Sequence, residues 1–403
     1  MEKREIIYVS ASASGYGGEN SLFMLAGNLP EGFEPLVITP EEGPLTEKLD
    51  KAGIKRKTFP YAVLQKKYFH PLGIMRYQFF WAVSAARFLS LFIRLKPDIV
   101  HTNTSQVMAA AFAAKILGIP HMWHIREIPG ISPVLWNIWK WYILAFSTRV
   151  VCISNAVKKQ FGRSRKTEVI LNGIDISAFP FTPTLILPPQ GGGEARGRRE
   201  AENTPQGGGE ERGEEEEVKR AGMVGRINYW KGQELFIEAA NLVLKVRKDV
   251  RFFIAGDARA EYKKLEEDLH RKAEEYGISE NVVFTGFLPR EKVAELLNSL
   301  DIFLLTSIQP EPFGLVVIEA MACGKAVIAP SEGGPPDIIE NGVSGMLVEP
   351  RNPEAYAEAL LHLLADSKMR REMGIRARRR VEEKFTIERT VSEIVSLYEK
   401  ASG

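Results

Sequence analysis

The chain has 403 residues, of which 45% are hydrophobic and 26% are charged, and its formal net charge is +2. This length suits two domains better than one, and the composition is typical of a globular protein. A net charge this small does not indicate a nucleic-acid partner, because such proteins usually carry a concentrated basic face.

Only two cysteines occur, Cys152 and Cys323, and both lie in apolar segments. We predict buried thiols of a reducing compartment, because neither disulfide nor metal-type spacing is present. The start, MEKREIIYVS, lacks the apolar core and cleavage site of a signal peptide. No apolar run reaches the roughly 18 residues of a spanning helix. These features predict a cytoplasmic protein.

Short apolar runs alternate with longer amphipathic stretches along the chain. Predicted strands of the first half are Ile6–Ser10, Pro35–Pro40, Asp98–Thr102, His121–Ile125, Arg149–Ser154 and Val169–Asn172. Those of the second half are Met223–Arg226, Arg251–Gly256, Val282–Gly286, Ile302–Ser307, Ala326–Pro330 and Met346–Glu349. Strands that are apolar on both faces indicate parallel sheets covered by helices. The two sets predict an α/β protein with two Rossmann-like, doubly wound domains.

We place the first domain at 1–180, a linker at 181–217, the second domain at 218–380 and a terminal helix at 381–403. The linker contains PQGGGEARG and then PQGGGEERG between Pro188 and Glu217. Its Gly, Glu and Arg content cannot bury enough apolar area to order it, so a disordered insertion is predicted. The charged helical pattern after Ser367 breaks near Phe385, and its last helix is expected to cross back to the first domain.

The segment EPFGLVVIE, from Glu311 to Glu319, follows a strand and carries the strongest chemical signal. Gly314 is predicted to open a helix whose first free N–H groups form a site for phosphate or sugar oxygens. Glu319 would lie about 7 Å along this helix, and its side chain leans back toward the N-terminus. Both carboxylates can therefore share one pocket. Alternatively, Glu319 is a solvated residue of an amphipathic helix.

The segment GMVGRINYWKG places Arg226 and Lys231 in a strand-to-helix loop, with Gly225 and Gly232 allowing close backbone approach. Two fixed cations beside a diphosphate would neutralise the charge that develops as a sugar–phosphate bond breaks. The alternative is a pair of surface cations, which is the usual position of Arg and Lys.

The segment SASGYGGENS follows the first strand and approaches the dinucleotide-binding pattern, but Asn20 stands where a third glycine is required. No acid ends the second strand, so a dehydrogenase is disfavoured. A turn of Gly17 and Gly18 that offers N–H groups to a ligand fits better. A tight turn without a ligand is the alternative.

In HMWHIREIPG, His124 lies at the carboxyl end of a strand, where open α/β sheets bind ligands, with Arg126 and Glu127 beside it. It is a candidate for the chemistry, although a lone histidine is commonly structural. His101 and His121 are examples of that second kind.

Together these segments resemble the family-4 glycosyltransferases, which have the GT-B fold. The resemblance also includes HTN at His101, ISNAV at Ile153, LNGID at Leu171, FTGF at Phe284 and the run from Glu311 through GGPPDII. It covers nearly the whole chain apart from the linker. The resemblance implies configuration-retaining transfer from a nucleotide-diphosphate sugar, with no metal and no cofactor besides this co-substrate.

The resemblance also implies roles for particular residues. Arg226 and Lys231 would contact the donor diphosphate, Glu311 the donor sugar and Glu319 the ribose, while His124 would lie near the donor sugar. We assign catalysis to His124, Arg226, Lys231 and Glu311. Further donor contacts are expected from Gly17, Gly18, Asn172, Phe313, Gly314, Leu315 and Val316. Asp175 lies with Asn172 in the loop that leaves the first domain.

Two residues depart from the pattern of the family. Asp337 stands where a glutamate is more usual, and Ile387 stands where a tryptophan is common. Asp337 leaves open which contact is made at that position. Ile387 leaves open how the closing helix packs. The linker insertion affects the geometry of closure rather than the chemistry.

The sequence also predicts a position for the acceptor. The aromatic stretches Lys66–Lys96 and 132–146 carry flanking cations and could meet the inner leaflet of a membrane and a lipid-linked acceptor. Otherwise they are helices that cover a sheet. A glycan is the other acceptor class. Two other functions remain open: a nucleotide-sugar epimerase or hydrolase of the same architecture, and a non-catalytic sugar-nucleotide-binding module.

Overall fold

Two parallel β-sheets, each with helices on both faces, form two successive domains. The computed structural model describes residues 3–128, 130–181 and 218–402. This architecture confirms the predicted fold class of two Rossmann-like, doubly wound domains. The insertion predicted between Pro188 and Glu217 lies outside the described residues.

The first domain contains a seven-stranded parallel sheet in the order β3-β2-β1-β4-β5-β6-β7. Its strands are β1 Arg4–Val9, β2 Phe33–Thr39, β3 Lys55–Thr58, β4 Ile99–Thr102, β5 His121–Ile125, β6 Arg149–Cys152 and β7 Thr167–Val169. The helices are α1 Gly17–Gly27, α2 Pro44–Lys51, α3 Pro71–Leu95, α4 Met108–Ile116, α5 Pro133–Ala145 and α6 Asn155–Lys159. The strand order reverses direction between β1 and β4, and ligands bind beyond such a point.

The second domain contains a six-stranded sheet in the order β10-β9-β8-β11-β12-β13. Its strands are β8 Lys219–Val224, β9 Val250–Ala255, β10 Val282–Gly286, β11 Ile302–Leu304, β12 Ala326–Pro330 and β13 Met346–Val348. The helices are α7 Gln233–Val246, α8 Lys263–Glu275, α9 Arg290–Ser299, α10 Leu315–Ala322, α11 Pro335–Ile338, α12 Pro353–Ala365, α13 Ser367–Lys384 and α14 Ile387–Ser402. Here the order reverses between β8 and β11.

Strands that are buried on both faces were predicted from the sequence more readily than exposed ones. Residues Ile6 to Val9 of β1 are fully buried because helices cover both faces of the sheet. The edge strand Lys55–Thr58 has the sequence KRKT and was not predicted, because it lacks an apolar run. The prediction at Val169–Asn172 was shifted: the strand is Thr167–Val169, and the residues after it form a loop. Cys152 and Cys323 are buried and unpaired, as predicted.

The terminal helix α14 packs on the first domain. Ile387, Ile394 and Tyr398 lie in one hydrophobic cluster with residues of β1 and α1. Where the chain returns, the N–H of Ile387 donates to the carbonyl of Ile174 at 3.0 Å. Ile387 is thus buried at the crossing, in the place where tryptophan is common in the family. A Cβ on Gly173 would lie 2.0 Å from the Thr386 carbonyl oxygen, so this close crossing requires glycine.

Helix α3 departs from the expectation that no segment could span a membrane. By length and composition alone it is the one described helix long and apolar enough to cross a bilayer. It contains three arginines, so the sequence offers no uninterrupted apolar run. In the fold, Ala85, Phe88 and Phe92 pack in a cluster with α4, and only 28% of its most apolar window is buried.

Candidate active site

A cavity of about 500 Å³ lies between the domains, beyond the carboxyl ends of the strands. Most of the residues assigned to the donor line it: Gly17, Gly18, Asn172, Lys231, Glu311, Phe313, Gly314, Leu315, Val316 and Glu319. The structure thus brings residues from both halves of the sequence to one space. Arg226 and His124 are not among its lining residues.

Two helix N-termini face each other across this cavity. Helix α1 begins at Gly17 and α10 begins after Gly314, and no side chain of the described residues caps either end. The two ends are close, because a Cβ on Gly17 would lie 3.3 Å from Leu315 Cδ1. Gly314 has a φ of 106°, a conformation that favours glycine. Free N–H groups and helix dipoles make both ends suited to an anion.

Lys231 and Glu311 form an ion pair in the wall of the cavity. Lys231 Nζ lies 2.6 Å from Glu311 Oε2, and Ser307 Oγ donates to the same oxygen at 3.0 Å. Burial raises the pKa of Glu311, but the Lys231 ammonium and these hydrogen bonds prevail, so its net pKa is below the usual value. Glu311 is therefore ionised at neutral pH, and the pair fixes the position of both side chains.

Glu319 lines the same cavity, but its environment differs from that of Glu311. Burial raises its pKa, and Arg290 only partly opposes this because its guanidinium lies 3.9 Å from Glu319 Oε1. Arg290 was not predicted as a site residue. It begins α9, shortly after the FTGF segment, to which the sequence analysis assigned no site residue.

Cations outnumber carboxylates around the cavity. The lining cations are Lys48, Arg126, Lys231 and Arg290, and the lining carboxylates are Glu311 and Glu319. Burial and the nearby Arg290 lower the pKa of Lys48, as expected where positive charges crowd together. An anionic ligand would relieve this repulsion.

Arg126 is the residue at the end of β5 that reaches the cavity. Its Nε donates to Asn103 Oδ1 and its Nη1 donates to Asn172 Oδ1, both at 2.7 Å. Burial lowers its pKa to about 10, so it remains a cation at neutral pH. The sequence analysis noted Arg126 beside His124 but chose the histidine. The available signal was its position two residues further along the same strand end.

His124 is fully buried behind Arg126. Its Nδ1 lies 3.2 Å from His101 Nε2, and its Nε2 has no hydrogen-bond partner among the described residues. Burial, together with Arg126 and His101, holds the pKa of His124 well below its usual value. The imidazole is therefore neutral. A role for His124 near the donor sugar stays a prediction.

Arg226 lies at the rim and bridges the two domains. Its guanidinium carbon is 4.0 Å from the ring centre of Tyr16, which itself lines the cavity. This is a cation–π contact between the loop after β8 and the residue that precedes α1. Contact between Arg226 and a diphosphate stays a prediction.

Further contacts hold the domains together beside the cavity. Ser154 Oγ donates to the carbonyl of Pro312 at 2.6 Å. The backbone N–H and side-chain amide of Asn155 donate to the carboxylate of Asp337 at 2.6 and 2.8 Å. Asp337, which departs from the usual glutamate, is therefore an interdomain contact. Asp175 caps a short turn instead, accepting from the N–H of Ser177 at 2.9 Å.

The fold and two family models place the chain among the glycosyltransferases that have the GT-B fold. The model described as Glycosyltransferase Family 4 matches residues 16–178, and the one described as Glycosyl transferases group 1 matches residues 210–380. Together they cover most of the chain, which belongs to glycosyltransferase family 4. Among the described residues, no group of three or more His, Cys, Asp or Glu could hold a metal ion.

Individual relatives agree with this assignment. The chain is 36% identical over 168 residues to N-acetyl-alpha-D-glucosaminyl L-malate synthase of Bacillus anthracis, covering 41% of each protein. It is 33% identical over 187 residues to an uncharacterised glycosyltransferase of Methanocaldococcus jannaschii, covering 46% of each. The chain thus matches less than half the length of these curated relatives.

Solved structures resemble the whole chain in fold. Anabaena HepE in complex with UDP superposes with a TM-score of 0.79 at 22% identity, covering 98% of this chain and 100% of that one. Sucrose-phosphate synthase of Thermosynechococcus elongatus gives a TM-score of 0.71 at 19% identity, covering 99% of each chain.

Proposed function

We propose that the protein transfers a sugar, with retention of anomeric configuration and without a metal, from a nucleotide-diphosphate sugar to an acceptor hydroxyl. The supporting observation is the cationic interdomain cavity into which two uncapped helix N-termini point. Such a site suits a diphosphate, because cations and helix N-termini both stabilise negative charge. HepE has been solved with UDP and with UDP-glucose, so UDP-glucose is the first donor to test.

In the proposed reaction, the acceptor oxygen attacks the anomeric carbon on the face from which the diphosphate leaves. The carbon–oxygen bond to the β-phosphate breaks, and its electron pair leaves with the nucleoside diphosphate. The acceptor proton passes to a β-phosphate oxygen, so no enzymic base is required. The protein contributes positioning and charge stabilisation.

Several residues that line the cavity would take part in this mechanism. Lys231 and the N–H groups of Leu315 and Val316 would hold the diphosphate. The carboxylate of Glu311, oriented by Lys231 and Ser307, would accept hydrogen bonds from the donor sugar. Glu319 would accept from ribose hydroxyls. Arg126 would add a further cation at the opposite wall, where Asn103 and Asn172 fix it.

The configuration of the product tests this function. A screen of nucleotide sugars should first identify the donor through thermal stabilisation, since a ligand at 100 times its Kd adds about 2.7 kcal/mol. Proton NMR of the earliest product from an α-linked donor should then show an α-linkage. An early β-linked product would rule out retention. Isomerised or free sugar without acceptor would favour the epimerase or hydrolase, and binding without transfer to any acceptor would favour the non-catalytic module.

We also propose that the first domain contacts the inner face of a membrane from the cytoplasm, which would suit a lipid-linked acceptor. Leu72 and Phe79 of α3 and Trp141 of α5 are 76%, 72% and 64% exposed. The two helices are joined through ring contacts from Trp81 by way of Phe112 and Phe146 to Trp141. Neither helix contains an acidic residue, whereas α3 has three arginines and α5 has a lysine. An apolar face with cations suits anionic lipid.

Phe79→Glu is expected to lower the fraction of protein that floats with vesicles containing anionic phosphatidylglycerol. The substitution would remove the contact between the apolar ring and the lipid, and it would add a negative charge that anionic lipid repels. Val246→Glu is the matched control, because Val246 is 70% exposed but lies in the second domain. Equal flotation of both variants, or no binding of the unmodified protein, would contradict membrane contact through α3.

A further inference from the structure

A second cavity, of about 350 Å³, adjoins the first. Its walls come from both domains: residues 64, 65, 69, 105, 106, 127, 128, 130, 131 and 139 of the first, and Trp230 and residues 309–312 of the second. Glu311 and Pro312 line both cavities. A molecule bound in the second cavity therefore meets the first at Glu311, the carboxylate proposed to hold the donor sugar. We call this second space the Glu127 cavity.

Aromatic rings form much of the wall of the Glu127 cavity. Phe69, Trp139 and Trp230 line it, together with the aliphatic side chains of Ile128 and Ile131. Trp139 is held in place because its Nε1 donates to the carbonyl of Ser105 at 2.8 Å. Flat apolar walls with few polar groups suit a ligand that has an apolar face, such as the C–H face of a sugar ring.

The charge of the Glu127 cavity is opposite to that of the donor cavity. Its ionisable lining side chains among the described residues are Glu127 and Glu311, and none of the described lining side chains is cationic. The ion pair of Glu311 with Lys231 offsets part of this charge, but no lining cation among the described residues would face a carboxylate or phosphate placed here. The cavity therefore suits an uncharged ligand that donates hydrogen bonds, as hydroxyl groups do.

The Glu127 carboxylate is fixed by its neighbours and still has room for a ligand. Oε1 accepts from Thr104 Oγ1, the N–H of Ser105 and Ser105 Oγ at 2.9, 2.8 and 2.6 Å. Oε2 accepts only the N–H of Arg126 among the described residues, at 2.8 Å. A carboxylate has about four acceptor positions, so Oε2 can take a further hydroxyl. Arg126 and Glu127, adjacent in sequence, thus serve two different cavities.

We propose that the Glu127 cavity binds the acceptor as an uncharged sugar residue, stacked on Trp230 and Trp139, with one hydroxyl donating to Glu127. The proposal rests on the transferase function and specifies the chemical class of its acceptor. It distinguishes this chain from enzymes whose acceptor is an anion, such as malate. The hydroxyl of the acceptor sugar nearest Glu311, where the two cavities meet, would then attack the anomeric carbon of the donor.

Binding of glycosides without donor tests the class of ligand. The probes are octyl glycosides of glucose, galactose, mannose and N-acetylglucosamine, compared with octyl glucuronide and glucose 6-phosphate. The neutral glycosides should quench tryptophan fluorescence at about 10-fold lower concentration than the charged ones. Trp230→Ala should remove most of that response, whereas Tyr229→Ala should retain it. Tyr229 is the matched control because it is exposed, adjacent and absent from the cavity wall.

Kinetics with the identified donor test the position of the acceptor. Glu127→Gln and Trp230→Ala should each raise the KM for a neutral glycoside about 10-fold, equivalent to roughly 1.4 kcal/mol. The KM for the donor and the thermal shift that it produces should change little, which also shows that the variants fold. Tyr229→Ala should keep both KM values.

The outcomes separate this proposal from the transferase function. Equal or tighter binding of the charged probes, no binding of any neutral glycoside, or unchanged acceptor KM in both variants would overturn the Glu127 cavity as the site of an uncharged sugar. Neutral glycosides that bind through Trp230 but receive no sugar from any donor would instead contradict the transferase function.

Discussion

Replacing Lys231 with alanine is expected to lower kcat by about 100- to 1,000-fold, the usual cost of removing one group that stabilises charge in a transition state. Lys231 is the lining cation that pairs with Glu311, the carboxylate proposed to hold the donor sugar, at 2.6 Å. The substitution removes a charge from the leaving group and also the partner that holds Glu311 in place. Initial rates under saturating donor and acceptor measure the effect.

A second consequence distinguishes this role from general damage. Without Lys231, burial should raise the pKa of Glu311, so the acidic limb of the pH–rate profile should move to higher pH. Lys263→Ala is the control, because Lys263 pairs with Glu266 on the exposed surface of α8. Turnover of Lys231→Ala near that of the unmodified protein would exclude Lys231 from catalysis.

Acidification is expected to destabilise the protein strongly below about pH 6.5. Burial lowers the pKa of His121 to about 3, and those of His101 and His124 fall well below 6.5 as well. Each imidazole is neutral when folded but binds a proton when unfolded. The stability is therefore complete above about pH 6.5 and is lost as the pH falls. His121 alone should cost about 1.2 kcal/mol of stability between pH 6 and 5, and His101 and His124 act in the same direction.

Two carboxyl groups act in the opposite direction. Burial raises the pKa of Glu319 and that of Glu5, so the folded state binds these protons first and gains stability as the pH falls through each pKa. These two groups reduce the histidine effect without reversing it.

Urea denaturation at pH 7, 6 and 5 measures the balance between these groups. His121→Gln should lessen the loss of stability between pH 6 and 5 by roughly 1 kcal/mol, since it removes a titrating group whose folded-state pKa is about 3. His362→Gln, an exposed control, should leave it unchanged. Equal pH dependence of the His121 variant and the unmodified protein would contradict a neutral buried His121.

The sequence predicted the interdomain cavity well wherever the site residues lie in loops after strands. Gly17, Lys231, Glu311 and Gly314 follow β1, β8 and β11, and parallel sheets bring such loops to one edge. The placement of Glu311 and Glu319 also followed from a local property of the chain. The helix that begins after Gly314 sets the spacing between the two carboxylates. The structure places these residues at one cavity, and their chemical roles stay predictions.

Other site residues could not be predicted because nothing local marks them. Lys48 and Arg290 reach the cavity from α2 and α9, where they resemble ordinary surface cations in the sequence. Nothing in the sequence decided whether His124 or Arg126 lines the cavity. His124 lies near the end of β5 and Arg126 follows that strand directly. The fold buries the imidazole behind the guanidinium and leaves Arg126 in the cavity wall.

By itself, the sequence determined the two α/β domains, the glycine turns and the carboxylate and cation pairs, because strand periodicity and helix starts are local properties of the chain. Only the tertiary structure decided how the two halves meet. It brought Tyr16 against Arg226 and Asn155 against Asp337, and it placed Glu127 and Glu311 in the wall of one cavity, although these residues lie far apart in sequence. Such contacts depend on the packing of whole domains. A local sequence pattern does not show which distant residues will lie close together in space.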